Sequence, residues 1–256
     1  MKHSLLLIST VMLATSLIIV IGCAQNRSRA AITDTKSETG VVVMELFTSQ
    51  GCSSCPPADE ILGQYALKND THIIPLAFHV DYWNRLGWTD SFSTAKYTNR
   101  QRNYAAKFGG ESVYTPQIVL NGQKEILGSD DAAITANVSN FLKEPELVSV
   151  SIANKAVQGS TITVSYTINK SVTKASINAA LVQANVITHI KAGENRGMKL
   201  DNYNIVRDFE TVVLTNTTGN IELQLPPGNS ATGFSIVLFA QDDESGKILG
   251  AIKAKL

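Results

Sequence analysis

Two cysteines separated by two residues, Cys52 and Cys55, form the most reactive pattern in this chain. They stand in Gly51-Cys52-Ser53-Ser54-Cys55-Pro56, between a β-branched apolar run over 41–47 and a helical pattern reaching about 67. Pro56 and Pro57 suit a first helical turn, where backbone N–H groups have no partner to lose. At a helix N-terminus those N–H groups and the dipole favour a thiolate. The thiolate is the species that attacks a disulfide. Cys52 then reads as the nucleophile, and Cys55, one turn deeper, as the thiol that resolves a mixed disulfide. Asp59 and Glu60 follow and oppose a thiolate, so extreme acidity of Cys52 is not expected. A structural bridge is the weaker reading, because closing so short a loop removes little unfolded-chain entropy. Two thiolates do not complete a zinc site. With His79 they could hold copper(I), which selects soft ligands.

The rest of the composition narrows the field. Lys plus Arg and Asp plus Glu are both 22, so no charge excess suggests nucleic-acid binding. Three cysteines are too few for a disulfide scaffold. No Gly-rich phosphate loop, zinc-protease motif or nucleophile elbow occurs, and no cofactor is implied.

The elements that must position the dithiol come in two styles. Over 40–145, strand and helix signals alternate. A buried strand at 41–47 and the first helix are followed by a strand at 73–80. A helix capped by Asp90 or Ser91 then runs to Phe108, with Tyr97, Gln101, Tyr104 and Ala105 as its inner stripe. Lys96, Arg100, Arg102 and Lys107 read as its solvated face. A hairpin, 117–120 and 124–127, turns at Asn121-Gly122. Ser129 caps a last helix. Over 146–256 the pattern is period two with one polar face, as in 161–168, which predicts antiparallel strands in a β-sandwich.

Several strings here resemble the bacterial secreted family of unknown function DUF1223: residues 45–59 around the dithiol, His79-Val80-Asp81-Tyr82-Trp83, Leu86-Gly87-Trp88, Tyr114-Thr115-Pro116-Gln117, Asn121-Gly122, and Glu194-Asn195-Arg196-Gly197 with Asn204-Ile205-Val206-Arg207. The resemblance implies a thioredoxin-like superfamily fold. It also implies a cis peptide bond at Thr115-Pro116, packed against the dithiol, and a catalytic acid on the first strand, for which Glu45 is the candidate. A buried carboxylate has a raised pKa and can act as a base near neutrality. Glu45 turned to solvent, or paired with Arg or Lys, is the plainer alternative.

His79, Asp81, Tyr82 and Trp83 end the second strand. If it lies parallel to the first, they line a substrate groove with Thr115, since open α/β sheets place sites at the C-terminal ends of strands. Arg196 belongs to a polar loop, 194–197, that could fold over the dithiol or simply be solvated.

The N-terminus reads as an export signal. Lys2 and His3 precede an apolar run over 5–21, and Val20-Ile21-Gly22-Cys23 resembles a lipobox whose Cys carries lipid. An uncleaved anchor is the alternative. The organisation expected is a lipoprotein signal at 1–22, a tether at 23–39, an α/β thioredoxin-like domain at 40–145 and an all-β sandwich domain at 146–256. The expected function is thiol–disulfide exchange with protein or small-molecule thiols outside the cytoplasm. The protein is then held on the membrane through its N-terminal lipid, at the outer membrane in a Gram-negative cell. A copper(I) chaperone using the same thiols, or a non-enzymatic envelope binding module, are the alternatives.

Overall fold

A computed structural model describes residues 40–256. The apolar run, the lipobox with Cys23 and the tether lie outside the described residues.

The local elements follow the periodicities. β1 (Val42–Thr48), α1 (Pro56–Lys68), β2 (Ile73–His79), α2 (Ala95–Lys107), β3 (Gln117–Leu120), β4 (Lys124–Leu127) and α3 (Asp131–Phe141) come first. Only strands follow: β5 (Val150–Gln158), β6 (Thr161–Ile168), β7 (Ala175–His189), β8 (Lys199–Val213), β9 (Thr218–Gln224), β10 (Phe234–Asp242) and β11 (Ile248–Lys255). The caps are displaced from expectation. Thr94 caps α2, its side chain accepting from the N–H of Lys96, and Asp130 caps α3. Asp90 is buried and engaged elsewhere, as described below. Asn121 and Gly122 both take positive φ at the β3–β4 turn. The Asn121 side chain also ties β1, accepting from the N–H of Val43 and donating to the carbonyl of Val41.

The expected fold class, an α/β thioredoxin-like domain followed by an all-β sandwich domain, is overturned. Eight strands form one mixed sheet in the order β11-β10-β7-β8-β2-β1-β3-β4, and β5-β6-β9 form a second. The chain is mostly strand, with three α-helices among the described residues. β1 and β2 are parallel, and β2 then pairs with β8 through Ala77 and Ile205. The edge of β2 is therefore satisfied by a strand from the second half of the chain. Alternation identifies strands but carries no information about which edge a distant strand will join.

The faces of this sheet are specified residue by residue, because side chains alternate along a strand. On β1, Val42, Met44 and Leu46 pack with Ala58, Ile61 and Leu62 of α1 and Ile134 of α3. Val43 and Phe47 point to the other face, with Tyr97 and Tyr104 of α2. That second core continues across Val206, Phe209 and Phe239, so one apolar layer joins the two halves. Ile177, Ala179 and Leu181 of β7 meet Ile162 and Val164 of the three-stranded sheet.

Candidate functional site

Cys52 and Cys55 form a disulfide, with Cα atoms 5.4 Å apart. Cys55 is the N-cap residue of α1, and both cysteines are 0% exposed. The turn is enclosed from three directions. Thr115 Oγ1 donates to Cys52 Sγ at 3.3 Å, and Trp83 Nε1 donates to Thr115 Oγ1 at 2.8 Å. The Thr115–Pro116 bond is cis. Gly128 makes room for Pro116: a Cβ there would lie 2.9 Å from Pro116 Cβ and 3.0 Å from Ala58 Cβ of α1.

The third wall is the loop between β7 and β8. Asn195 Nδ2 donates to the carbonyls of Gln50 and Cys52, each at 2.9 Å. The N–H of Ser53 donates to Glu194 Oε2 at 3.2 Å. Arg196, beside them, keeps an exposed side chain. Gln50 is locked too. Its Oε1 accepts from Trp88 Nε1, and its Nε2 donates to Thr188 and Asn202.

Behind the turn lies a buried ionisable group. His79 ends β2 in register with Thr48 of β1. His79 Nδ1 meets Asp90 Oδ2 at 2.7 Å, with both side chains buried. The Asp90 carboxylate also accepts from the N–H groups of Gln50 and Phe92. Burial pulls the His79 pKa down, but the Asp90 charge and hydrogen bond outweigh it and the net shift is upward. Burial likewise raises Asp90, and His79 with the two backbone N–H groups brings it below the usual range.

Asp59 joins this cluster from α1. It stands four residues after Cys55, on the same side of the helix one turn down. Burial is the largest influence and pushes its carboxyl up to about 7, although His79 and Thr48 pull it down. The Thr48 hydroxyl is buried and makes no hydrogen bond of ordinary geometry among the described residues.

The site residues read from the sequence separate into two groups. Cys52, Cys55, Thr115, Pro116 and Trp83 come together, and His79 lies behind them. Tyr82 lies near Thr115, with its hydroxyl on Gln101. Asp81 faces α2 instead, accepting from Thr98 Oγ1 at 2.6 Å. Glu45 is not with the dithiol. It shares the α2 face of β1 with Val43 and Phe47, where Arg100 Nη2 donates to it at 2.9 Å and the Tyr104 hydroxyl to the same oxygen. Arg100, read as solvated, is largely enclosed with its side chain 13% exposed, and its guanidinium lies over the rings of Phe78, Tyr104, Phe209 and Phe239. Among the described residues no group of three or more His, Cys, Asp or Glu is placed to hold a metal ion. Asp59 and Asp90 were missed as site residues. The i, i+4 spacing of Cys55 and Asp59 was the available signal for the first. Nothing local marks the second.

The sequence model of the family described as "Protein of unknown function (DUF1223)" matches residues 43–241. A crystal structure of an Agrobacterium tumefaciens protein is similar, with 32% sequence identity and a TM-score of 0.66, covering 84% of this chain and 94% of that one. HBP35 of Porphyromonas gingivalis is similar in fold, with 14% identity and a TM-score of 0.62, covering 86% and 76%. No curated protein matches the chain.

Proposed function

We propose, given that the chain belongs to the DUF1223 family and that this family is one of unknown function, that the protein exchanges thiols and disulfides through Cys52 and Cys55. The observation that carries the reading is the bond between these two cysteines at the start of α1, with the hydroxyl of Thr115 donating to Cys52 Sγ. In the reduced protein Cys52, nearer the open end of the helix, is the sulfur a substrate disulfide meets. Thr115 then stabilises its thiolate, as a hydrogen bond to the charged form does. Attack joins Cys52 to one substrate sulfur and releases the other as a thiolate. Cys55 next attacks Cys52 Sγ, restores the internal bond and releases the second substrate thiol. The reverse sequence oxidises a substrate dithiol. In either direction the enclosed sulfurs must be uncovered, so the Glu194–Asn195 loop has to lift from the turn.

The substrates are protein or small-molecule thiols and disulfides. Export by the N-terminal signal and lipid attachment at Cys23 put the folded part outside the cytoplasm on a membrane surface, where a dithiol has oxidised partners available.

The test is the reduction potential of the Cys52–Cys55 pair, measured by equilibrating the protein with thiol buffers and trapping free thiols. Exchange catalysts span about −120 to −270 mV. A value in that span supports the reading, and its position indicates the direction of electron flow. A bond that stays oxidised below about −300 mV behaves as a structural disulfide, and the proposal fails.

A further inference from the structure

We infer that Asp59 accepts the proton of Cys55 during resolution and passes it to solvent through the groove between α1 and the start of β8, an assignment that rests on the exchange reading above. Resolution needs such a group. Cys55 must lose its proton to attack, yet it lies at the base of the turn and is 0% exposed in the disulfide form. A buried thiol resists ionisation, because burial disfavours its charged form.

Three observations point to Asp59. The first is its place on α1, one turn below Cys55 and facing the sheet. His79 and Asp90 act electrostatically on Asp59 there, and Thr48 at the end of β1 faces it. The second is that no lysine or arginine pairs with Asp59 among the described residues. A fully buried carboxylate is normally paired, as Glu45 is with Arg100, whereas Asp59 is half-buried at the wall of a groove. Burial raises its pKa to about 7, so it exchanges protons near neutrality. The third is an exit. A groove of about 330 Å³ opens between α1 and the start of β8, and Asp59 lines it together with Pro56, Gly63, Lys199 and Tyr203. Protons can move between Asp59 and solvent there without exposing the disulfide.

Charged groups approach Asp59 from each side. His79 of β2 lowers its pKa, while Asp90 and Glu60 raise it. Lys199 and Asp201 of β8 share the groove. The balance of the step is simple. The Cys55 thiol gives its proton to the Asp59 carboxylate, its sulfur pair forms the bond to Cys52, and the bond from Cys52 to the substrate sulfur breaks with its electrons on the departing thiolate. The dithiol is oxidised and the substrate disulfide reduced.

The experiment mixes reduced full-length protein with 5,5′-dithiobis(2-nitrobenzoate) and follows two releases of thionitrobenzoate. The first reports attack by Cys52 and the second reports resolution by Cys55. Wild type, Asp59→Asn and Asp59→Glu are compared across pH. The expectation is an unchanged first phase in Asp59→Asn, with a second phase slowed roughly 100-fold near neutrality, the scale of a lost general base. Its pH profile should then rise only toward the range of a free thiol, about 8.5. Asp59→Glu should recover part of the rate and a midpoint near that of wild type. Equal second phases in wild type and Asp59→Asn at every pH overturn the assignment while leaving exchange intact. Slowing of both phases by both variants marks a structural role and also overturns it. Absence of any release from wild type overturns the exchange reading, and the assignment with it.

Discussion

Asn195 holds Cys52 across 143 residues of chain: its side-chain amide donates to the Cys52 carbonyl at 2.9 Å and equally to that of Gln50. Both carbonyls belong to the turn that carries Cys52 and Cys55, so the β7–β8 loop and that turn are held together. Substituting Asn195→Ala removes two buried hydrogen bonds; the Cys52 carbonyl keeps the N–H of Cys55, and the Gln50 carbonyl loses its side-chain donor. Each bond is worth about 1 kcal/mol, so a loss of roughly 1–3 kcal/mol is expected in urea denaturation. The disulfide should also be reduced faster by dithiothreitol. A variant that loses stability without any faster reduction would show that the loop does not cover the sulfurs.

The two cysteines should have unequal roles. Cys55→Ser is expected to accumulate mixed disulfides at Cys52, because the resolving thiol is gone. Cys52→Ser should form few and exchange little. Mass spectrometry of the protein after exposure to oxidised glutathione distinguishes them. Trapping at Cys55 in preference to Cys52 reverses the assignment.

Glu45 and Arg100 make a separate prediction, for stability alone. Removing one member of a buried ion pair strands the other charge and costs about 3–5 kcal/mol. Glu45→Gln should therefore lower the denaturation midpoint substantially. It should leave the Cys52–Cys55 reduction potential where it was, since Glu45 sits on the opposite face of β1. A shift in potential of more than about 30 mV, equivalent to 1.4 kcal/mol for this couple, would contradict that separation.

Stability should fall as pH rises through neutrality. Asp59 has a folded pKa near 7 against an ordinary value of 3.8. The folded protein therefore holds this proton more tightly than the unfolded chain, and stability declines from about pH 4 until Asp59 is ionised. His79 acts in the same direction. Its pKa is raised, so its contribution is complete below 6.5 and is lost as pH rises through the folded value. Asp90, shifted down, contributes stability above 3.8 that is lost as pH falls through its lowered value. A stability maximum on the acid side of neutrality follows. Asp59→Asn should flatten the decline between about pH 5 and 8, by roughly 2–3 kcal/mol, since about two pKa units at 1.36 kcal/mol each lie between pH 5 and the folded value. An unchanged slope in chemical denaturation across that range would falsify the raised carboxyl.

Gly128 is expected to be intolerant for a geometric reason. A methyl group there would press on Pro116 and Ala58 at once. Gly128→Ala should cost about 1–3 kcal/mol, as overpacking does. It should also disturb the Thr115 contact to Cys52, detectable as an altered rate of the first exchange phase.

What the sequence determined by itself is local. The dithiol at a helix start, the Asn121-Gly122 hairpin, the helical stripes and the period-two strands are all written in spacings of a few residues, because backbone geometry repeats over that range. What only the tertiary structure decided is non-local. Alternation marked β7 and β8 as strands but could not say that β8 would take the free edge of β2 and merge two expected domains into one sheet. Glu45 and Asp59 were both acids near the dithiol in sequence. Alternation along β1 turned Glu45 to the face of Arg100, and the turn of α1 set Asp59 on the side of Cys55. Asp90 and Asn195 reach the site from 35 and 140 residues beyond Cys55, counted on the sequence. Their places depend on which surfaces pack together, and that is settled by burial of the whole sheet rather than by any segment of it.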